Sequence, residues 1–295
     1  MDWYTFAAVM IALLSLSLKF ARTFRAEPQV RALDRFARES GLALTAEVRP
    51  ALVRRLTARE RGYTIGAMTS VVGIGLWSIT GATVTWSGIV LVAIIGLGAV
   101  LGLAVAEWRG AFRPVPDQPR LARSTIPTVA DYVSPWQLWA PAVTVLIALS
   151  ALGSVALASP AGLPSLGLAA GLTATAIAAV VASRFARAEL VRRGQPAASV
   201  TELTWDDALR SAALRGTIEI PTTLGMASLS ATLLALGLTP GLGNFVTWAL
   251  FGVVAALIVF VLVINRRRAT TYYLRRLWPE AAADYADAVA RGAAR

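Results

Sequence analysis

The nearest approach to a catalytic set in this chain is a pair of adjacent acids, Asp206 and Asp207, in the stretch from Glu202 to Arg210. Two carboxylates can hold a divalent cation or divide acid and base work, but only when they converge on one point. On a helix, neighbours i and i+1 point apart. The spacing fits a structural account better, with Thr204 as N-cap, Asp207 three residues on as its capping-box partner, and both acids at the positive helix end. Asp206 also stands four residues before Arg210, the distance of a helical ion pair. Elsewhere the chain has neither histidine nor cysteine. That removes thiolate chemistry, Cys/His zinc sites, His-ligated haem and any His general base. There is no Walker A phosphate loop, no GxGxxG after a strand and no HExxH, so nucleotide hydrolysis through these motifs is excluded. The expectation is a chain that is not an enzyme, with no catalytic residue, no cofactor and no metal.

The elements that would have to position any chemistry are membrane helices. Mean hydropathy is +0.62 and only 15% of the residues are charged, where a soluble domain carries about a quarter. Residues 63–106, 132–183 and 220–265 contain no Asp, Glu, Lys or Arg. Each of these gaps can hold two spans, since one helix needs roughly 20 apolar residues to cross the hydrocarbon core. The sequence therefore predicts an all-α integral membrane bundle of about seven transmembrane helices, one N-terminal span plus three hairpins. The N-terminal span occupies 1–21, reading Trp3 to Phe20, and a six-helix bundle occupies 63–265. Its hairpins cover 63–106, 136–183 and 221–265, with Pro221 in the first turn of its helix. Their turns fall at Thr83–Val84–Thr85, at Ser159–Pro160–Ala161–Gly162 and at Thr239–Pro240–Gly241–Leu242–Gly243, all uncharged. The similar plan of the three hairpins allows a loose threefold repeat.

The sequence pI near 11.2 raises nucleic acid as a partner, and the placement of charge answers it. Residues 19–62 carry a net +6 and residues 266–295 a net +4, while 107–135 and 184–220 carry +1 each. All of these segments fall on one side of the proposed spans. Lys and Arg resist translocation, so this is an orientation signal, with anionic lipid rather than nucleic acid as the charged partner. The amino terminus is expected outside a bacterial plasma membrane and the carboxyl terminus in the cytoplasm. Trp3, Trp77, Trp86 and Trp248 near outer ends, and Trp108, Trp136 and Trp139 near inner ends, mark two interfacial belts.

The cytoplasmic segments carry their own pattern. Residues 22–62 read as a basic amphipathic helical pair. Val30, Leu33, Phe36 and Ala37 share a face of a first helix that Gly41 can close, and Leu52, Val53 and Leu56 share a face of a second, capped by Thr45. Arg54, Arg55, Arg59 and Arg61 on the second helix, with Arg266, Arg267 and Arg268 at the start of the basic tail 266–295, are candidate contacts to anionic lipid or to a cytosolic partner. The alternative is an ordered loop packed under the bundle. Within the spans, Gly98, Gly102 and Ala106 repeat every four residues, as do Gly167, Gly171, Thr175, Ala179 and Ser183. Small residues at this spacing let helix backbones approach closely, inside the chain or at a homo-oligomer seam, and Gly171→Leu is expected to destabilise the fold. No ionisable side chain lies inside any span; Lys19, Glu107 and Glu219 sit at margins. Proton relays and ion-coupled transporters normally need such groups. The remaining intramembrane polar groups are hydroxyls such as Thr69, Thr144, Thr173, Thr175 and Ser228, which commonly bond back to helix carbonyls.

Three stretches carry a resemblance: Leu42 to Leu56 with the Arg-Glu-Arg that follows, Val129 to Trp136 (Val-Ala-Asp-Tyr-Val-Ser-Pro-Trp), and Trp205 to Arg210 (Trp-Asp-Asp-Ala-Leu-Arg). Together they resemble a group of uncharacterised membrane proteins of high-GC Gram-positive bacteria, often encoded beside a GntR-type regulator. The resemblance implies a multi-pass topology and a kind of cell, and lends no activity. Two functions follow as expectations. One is a non-catalytic scaffold, sensor or accessory subunit of a membrane complex, with a cytosolic or membrane protein partner. The other is a permease-type subunit working with a separate ATPase, coupled through segments around 28–61, 109–135 and 187–215.

Overall fold

A computed structural model describes residues 3–79, 88–111, 127–158, 166–192, 197, 199–237, 248–249, 252, 255–256, 259 and 270–290. Every regular element among them is an α-helix: α1 (Trp3–Arg22), α2 (Ala26–Ser40), α3 (Arg49–Ile79), α4 (Gly88–Ala111), α5 (Val129–Tyr132), α6 (Pro135–Ala158), α7 (Leu166–Arg192), α8 (Val200–Gly237), α9 (Tyr272–Leu277) and α10 (Pro279–Ala290). The three hairpin turns, and most of the last returning span to Asn265, lie outside the described residues.

Local chemistry sets several of the helix ends. Gly41 closes α2 in the left-handed conformation, φ 71°, with its N–H on the Ala37 carbonyl, a conformation that costs glycine no Cβ clash. Thr128 and Asp131 form a capping box at α5. At α6 the Gln137 side-chain oxygen reaches back to accept from the Ser134 N–H at 3.2 Å and from its hydroxyl at 2.8 Å. Pro135 then takes the first helical position, where no N–H is needed.

At α8 the expected cap is displaced. Ser199 accepts from the Glu202 N–H at 3.2 Å, and the helix already runs from Val200. Thr204 is inside it, its hydroxyl bonded back to the Val200 carbonyl at 2.8 Å, so Thr204 and Asp207 are not a capping pair. Likewise, the second amphipathic stretch begins at Arg49 rather than at Thr45.

Two boundaries drawn from charge are not helix boundaries. Helix α3 runs unbroken for 31 residues across the 62/63 division, and α8 for 38 residues across 220/221, with Pro221 in its interior rather than at its start. Charge marks where a helix leaves the apolar layer, and nothing in that change of surroundings stops a helix whose residues keep good propensity.

The continuous helices join two cores. In the bundle, α8 is central, packed on α6, α7 and α4, while α3 pairs with α4 and α1 lies on α3. Val145, Ala176 and Leu224 form the buried centre of this part. At one end stands a helical head with a larger core drawn from α2, the start of α3, the end of α7, the start of α8, and α5, α9 and α10: Leu33, Phe36, Leu52, Tyr132, Leu190, Trp205, Leu214, Ile218, Tyr273 and Leu274 among others. Pro221 falls where one core gives way to the other. The amphipathic pair is therefore packed: Leu33 is fully buried and Leu52 nearly so. The stretch 266–295 is no free tail where it is described, since residues 270–290 fold back into the head.

Among the described residues three helices are long and apolar enough to cross a membrane, within Pro135–Leu157, Leu166–Arg192 and Val200–Leu236, and Ile94–Ala106 is a shorter apolar helix. Only 28% and 22% of the apolar windows of the first two are buried inside the chain, against 61% for α8. Leu146, Leu157, Val181 and Phe185 are left on the outside. Apolar helix faces left uncovered on this scale belong against lipid.

Candidate functional site

The head is built around Asp207. Its carboxylate is fully buried and accepts from the Tyr132 hydroxyl at 2.9 Å and from the Trp278 indole N–H at 2.8 Å. One turn further along α8, the Ser211 hydroxyl donates to the Tyr132 carbonyl at 3.1 Å. The neighbouring acid points elsewhere, as i and i+1 on a helix must: Asp206 takes the Arg55 guanidinium at 2.7 Å and stands 4.0 Å from Arg210. Arg276 of α9 reaches Asp131 of α5 at 3.3 Å. Burial pushes the Asp131 carboxyl up, but the Thr128 N–H and hydroxyl and the Arg276 guanidinium outweigh it and hold it below its ordinary value. Tyr273, buried beside Asp207, has its phenol pushed up, by burial first and by the nearby carboxylate second. Its hydroxyl donates to the Ser40 carbonyl at 3.2 Å. Tyr285 donates to the Arg38 carbonyl at 3.3 Å, and its ring lies against Gly41 so closely that an added Cβ would press on it.

These contacts gather the three stretches that carry the sequence resemblance. Tyr132 meets Asp207, Arg55 meets Asp206, and the Trp205 ring sits 6.2 Å from that of Phe36 in the same core. Aromatic partners of the acids were not visible in the sequence, because Tyr132 and Trp278 lie 75 and 71 positions from Asp207.

Beneath this centre lies a small charged cavity of about 80 Å³ lined by Phe36, Glu39, Arg59, Ala212, Arg215, Glu219 and Thr270. Two acidic side chains and two arginines face it. The space suits a few waters or a small ion, since one water needs roughly 10–15 Å³ measured this way. Glu219 and Arg59, distant in sequence, are brought together because α3 and α8 both continue into the head.

The arginines singled out as lipid or partner contacts divide. Arg55 is held by Asp206, and Arg59 lines the charged cavity. Arg61 donates to the Thr23 hydroxyl at 3.3 Å and lies 4.1 Å over the Phe24 ring, pinning the corner between α1 and α2 to α3. Arg54 stays exposed. Arg266, Arg267 and Arg268 lie outside the described residues.

The glycines divide as well. A Cβ at Gly98 would overlap the Ser70 side chain and the Gly66 carbonyl, and one at Gly102 would overlap the Gly62 carbonyl. Gly62, Gly66 and Ser70 of α3 thus interlock with Gly98, Gly102 and Ala106 of α4. Spacing by four in α3 was the legible signal for these partners. Among the described residues Gly167 and Gly171 do not make the expected approach: an added Cβ at either meets nothing within 4 Å. The contact between α7 and α8 is made instead by the Thr173 and Ser228 hydroxyls, with Ser228 also donating to the Ala169 carbonyl at 3.2 Å. Thr69, Thr144 and Thr175 bond back to carbonyls of their own helices.

Among the described residues no group of three or more acidic side chains is placed to hold a metal ion. No family model, curated protein or solved structure matches the chain.

Proposed function

We propose that the chain is a seven-span plasma-membrane protein of a high-GC Gram-positive bacterium, amino terminus outside, whose cytoplasmic head serves as a non-catalytic scaffold, sensor or accessory subunit. The observation that carries this reading is the use made of the acids. Asp206 and Asp207, the closest thing to a catalytic pair, hold Arg55 and the Tyr132–Trp278 couple respectively. Such groups build a shape and leave little for a substrate. The head is joined to the apolar bundle by α3, α7 and α8, each unbroken, which suits a surface presented to a partner.

Affinity purification of the full chain from native membranes tests the role. A stoichiometric partner lost on head substitutions such as Arg54→Glu is expected. Recovery of the chain alone would sink the accessory-subunit reading, and a stoichiometric ATPase would replace it with the permease reading. Topology is tested separately, because the chain has no cysteine of its own. Single Ala161→Cys and Pro196→Cys variants should react with an impermeant maleimide from outside and only after lysis, respectively. Labelling of the second in intact cells overturns the orientation.

A further inference from the structure

A second cavity lies outside the head centre, in the cleft between the start of α6 and the end of α7 under α5. It has a volume of about 350 Å³, and its walls include Val129, Trp139, Pro141 and Val180, with Arg184 and Arg187 as its charged members. Among the described residues that line it none is acidic. Arg187 is 7% exposed, and its guanidinium is held by its own helix, donating to the Ser183 carbonyl at 3.0 Å and the Ser183 hydroxyl at 3.1 Å. A guanidinium has five N–H donors, so donors remain for a ligand. Arg184 is exposed and stands one turn before it. Like charges three apart on a helix repel, and an anion between them would turn that cost into attraction.

The level of the cleft identifies the anion. At 1.5 Å per residue, Arg184 and Arg187 lie ~27 and ~32 Å along α7 from Leu166, the thickness of the hydrocarbon core being ~30 Å. Trp136 and Trp139, both well exposed, open α6 at the same end, as indoles do at the headgroup layer. Below the arginines the cleft borders the uncovered apolar flanks of Val143 and Val181. A phosphate at the arginines and an acyl chain down those flanks fit both halves. We infer that this cleft is a specific site for one anionic glycerophospholipid, its phosphate bound by Arg184 and Arg187 and its glycerol end covered by Trp139. The site rests on the membrane placement proposed above, and it is distinct from the arginines of α3.

The test is native mass spectrometry of the full chain released from detergent after equilibration with equal phosphatidylglycerol and phosphatidylcholine. One retained phosphatidylglycerol is expected in preference to phosphatidylcholine. Arg184→Gln should lower the retained fraction about fivefold, the equivalent of ~1 kcal/mol for one arginine at a lipid surface. The R184Q/R187Q double variant should abolish the preference, and Arg31→Gln, at an exposed arginine of α2 that does not line the cleft, should leave it intact. Equal retention of the two lipids overturns the site, as does undiminished phosphatidylglycerol on R184Q. Displacement of the lipid by millimolar inorganic phosphate would replace a lipid site with a free-anion site. Carbonate extraction of the chain from membranes would overturn the spanning reading, whichever lipid is retained.

Discussion

Asp206 and Asp207 stand side by side, and the fold buries one fully and the other only in part. Asp206 sits under a half-exposed Arg55, where water screens the pair and its worth is small. Asp207 is buried and accepts from Tyr132 and Trp278, so removing it takes an acceptor from both. Asp207→Ala is expected to cost about 2–4 kcal/mol, one unpaired donor costing about 1–3 kcal/mol. Asp207→Asn, which keeps one acceptor oxygen, should cost about half as much, and thermal unfolding in detergent followed by tryptophan emission reads the difference. Equal stability of D207A and the parent would remove the centre from the head. Asp131 predicts a pH effect of defined sign. Its folded pKa is below the ordinary 3.8, so its contribution is present above that value and is lost as pH falls below it through the folded pKa. Acid titration of thermal stability should show a shallower fall in Asp131→Asn than in the parent over that window, and parallel curves would count against it. Spacing made the Asp206–Arg210 neighbourhood legible, but the capping role it suggested for Asp207 is not the one the fold gives it. The Tyr132 and Trp278 partners of Asp207 were not legible, because a hydrogen bond across 75 positions leaves no periodic trace.

Helices α3 and α4 meet through glycine, and α7 meets α8 through hydroxyls. The same small-every-four signal occurs in α4 and α7, yet only α4 finds a matching stripe, in Gly62, Gly66 and Ser70. The ladder shows that a helix can be approached closely; whether a neighbour does so depends on a second sequence. Gly66→Leu therefore has to force two backbones apart and should cost about 2 kcal/mol or more, in the range of overpacked sites. Gly171→Leu, contrary to the expectation from spacing alone, should leave thermal stability unchanged. Should it instead shift the oligomeric state on size-exclusion chromatography, the α7 ladder is a seam between copies. Pro221 teaches the same lesson. Its missing N–H made a helix start plausible, but α8 is held from both sides by packing that outweighs one lost backbone bond.

For the whole molecule, the charge-free segments predicted where helices pass through lipid, and α6, α7 and α8 fulfil that by length and composition. The head was only half visible, as amphipathic faces that could meet lipid, a cytosolic partner or the underside of the bundle. Those faces turned out to be covered by one another and by α9 and α10. Ending the chain before Thr270 should thus expose Phe36 and Trp205, and speed amide hydrogen exchange in α2 while leaving α6 and α7 as protected as before; uniform exchange across the chain would show the head to be independent of its last helices. Length has one more consequence. With Gly237 at the far boundary of a ~30 Å hydrocarbon layer, the rise of ~1.5 Å per residue sets Glu219 near the opposite boundary and Asp206 ~16 Å above it. The screening length in physiological salt is ~8 Å. The Arg55–Asp206 pair accordingly stands two screening lengths above the boundary, out of reach of leaflet charge, while Arg184 and Arg187 stand at its foot. On the proposed membrane placement, altering the lipid composition reaches one storey of this protein, and altering the salt around the head reaches the other.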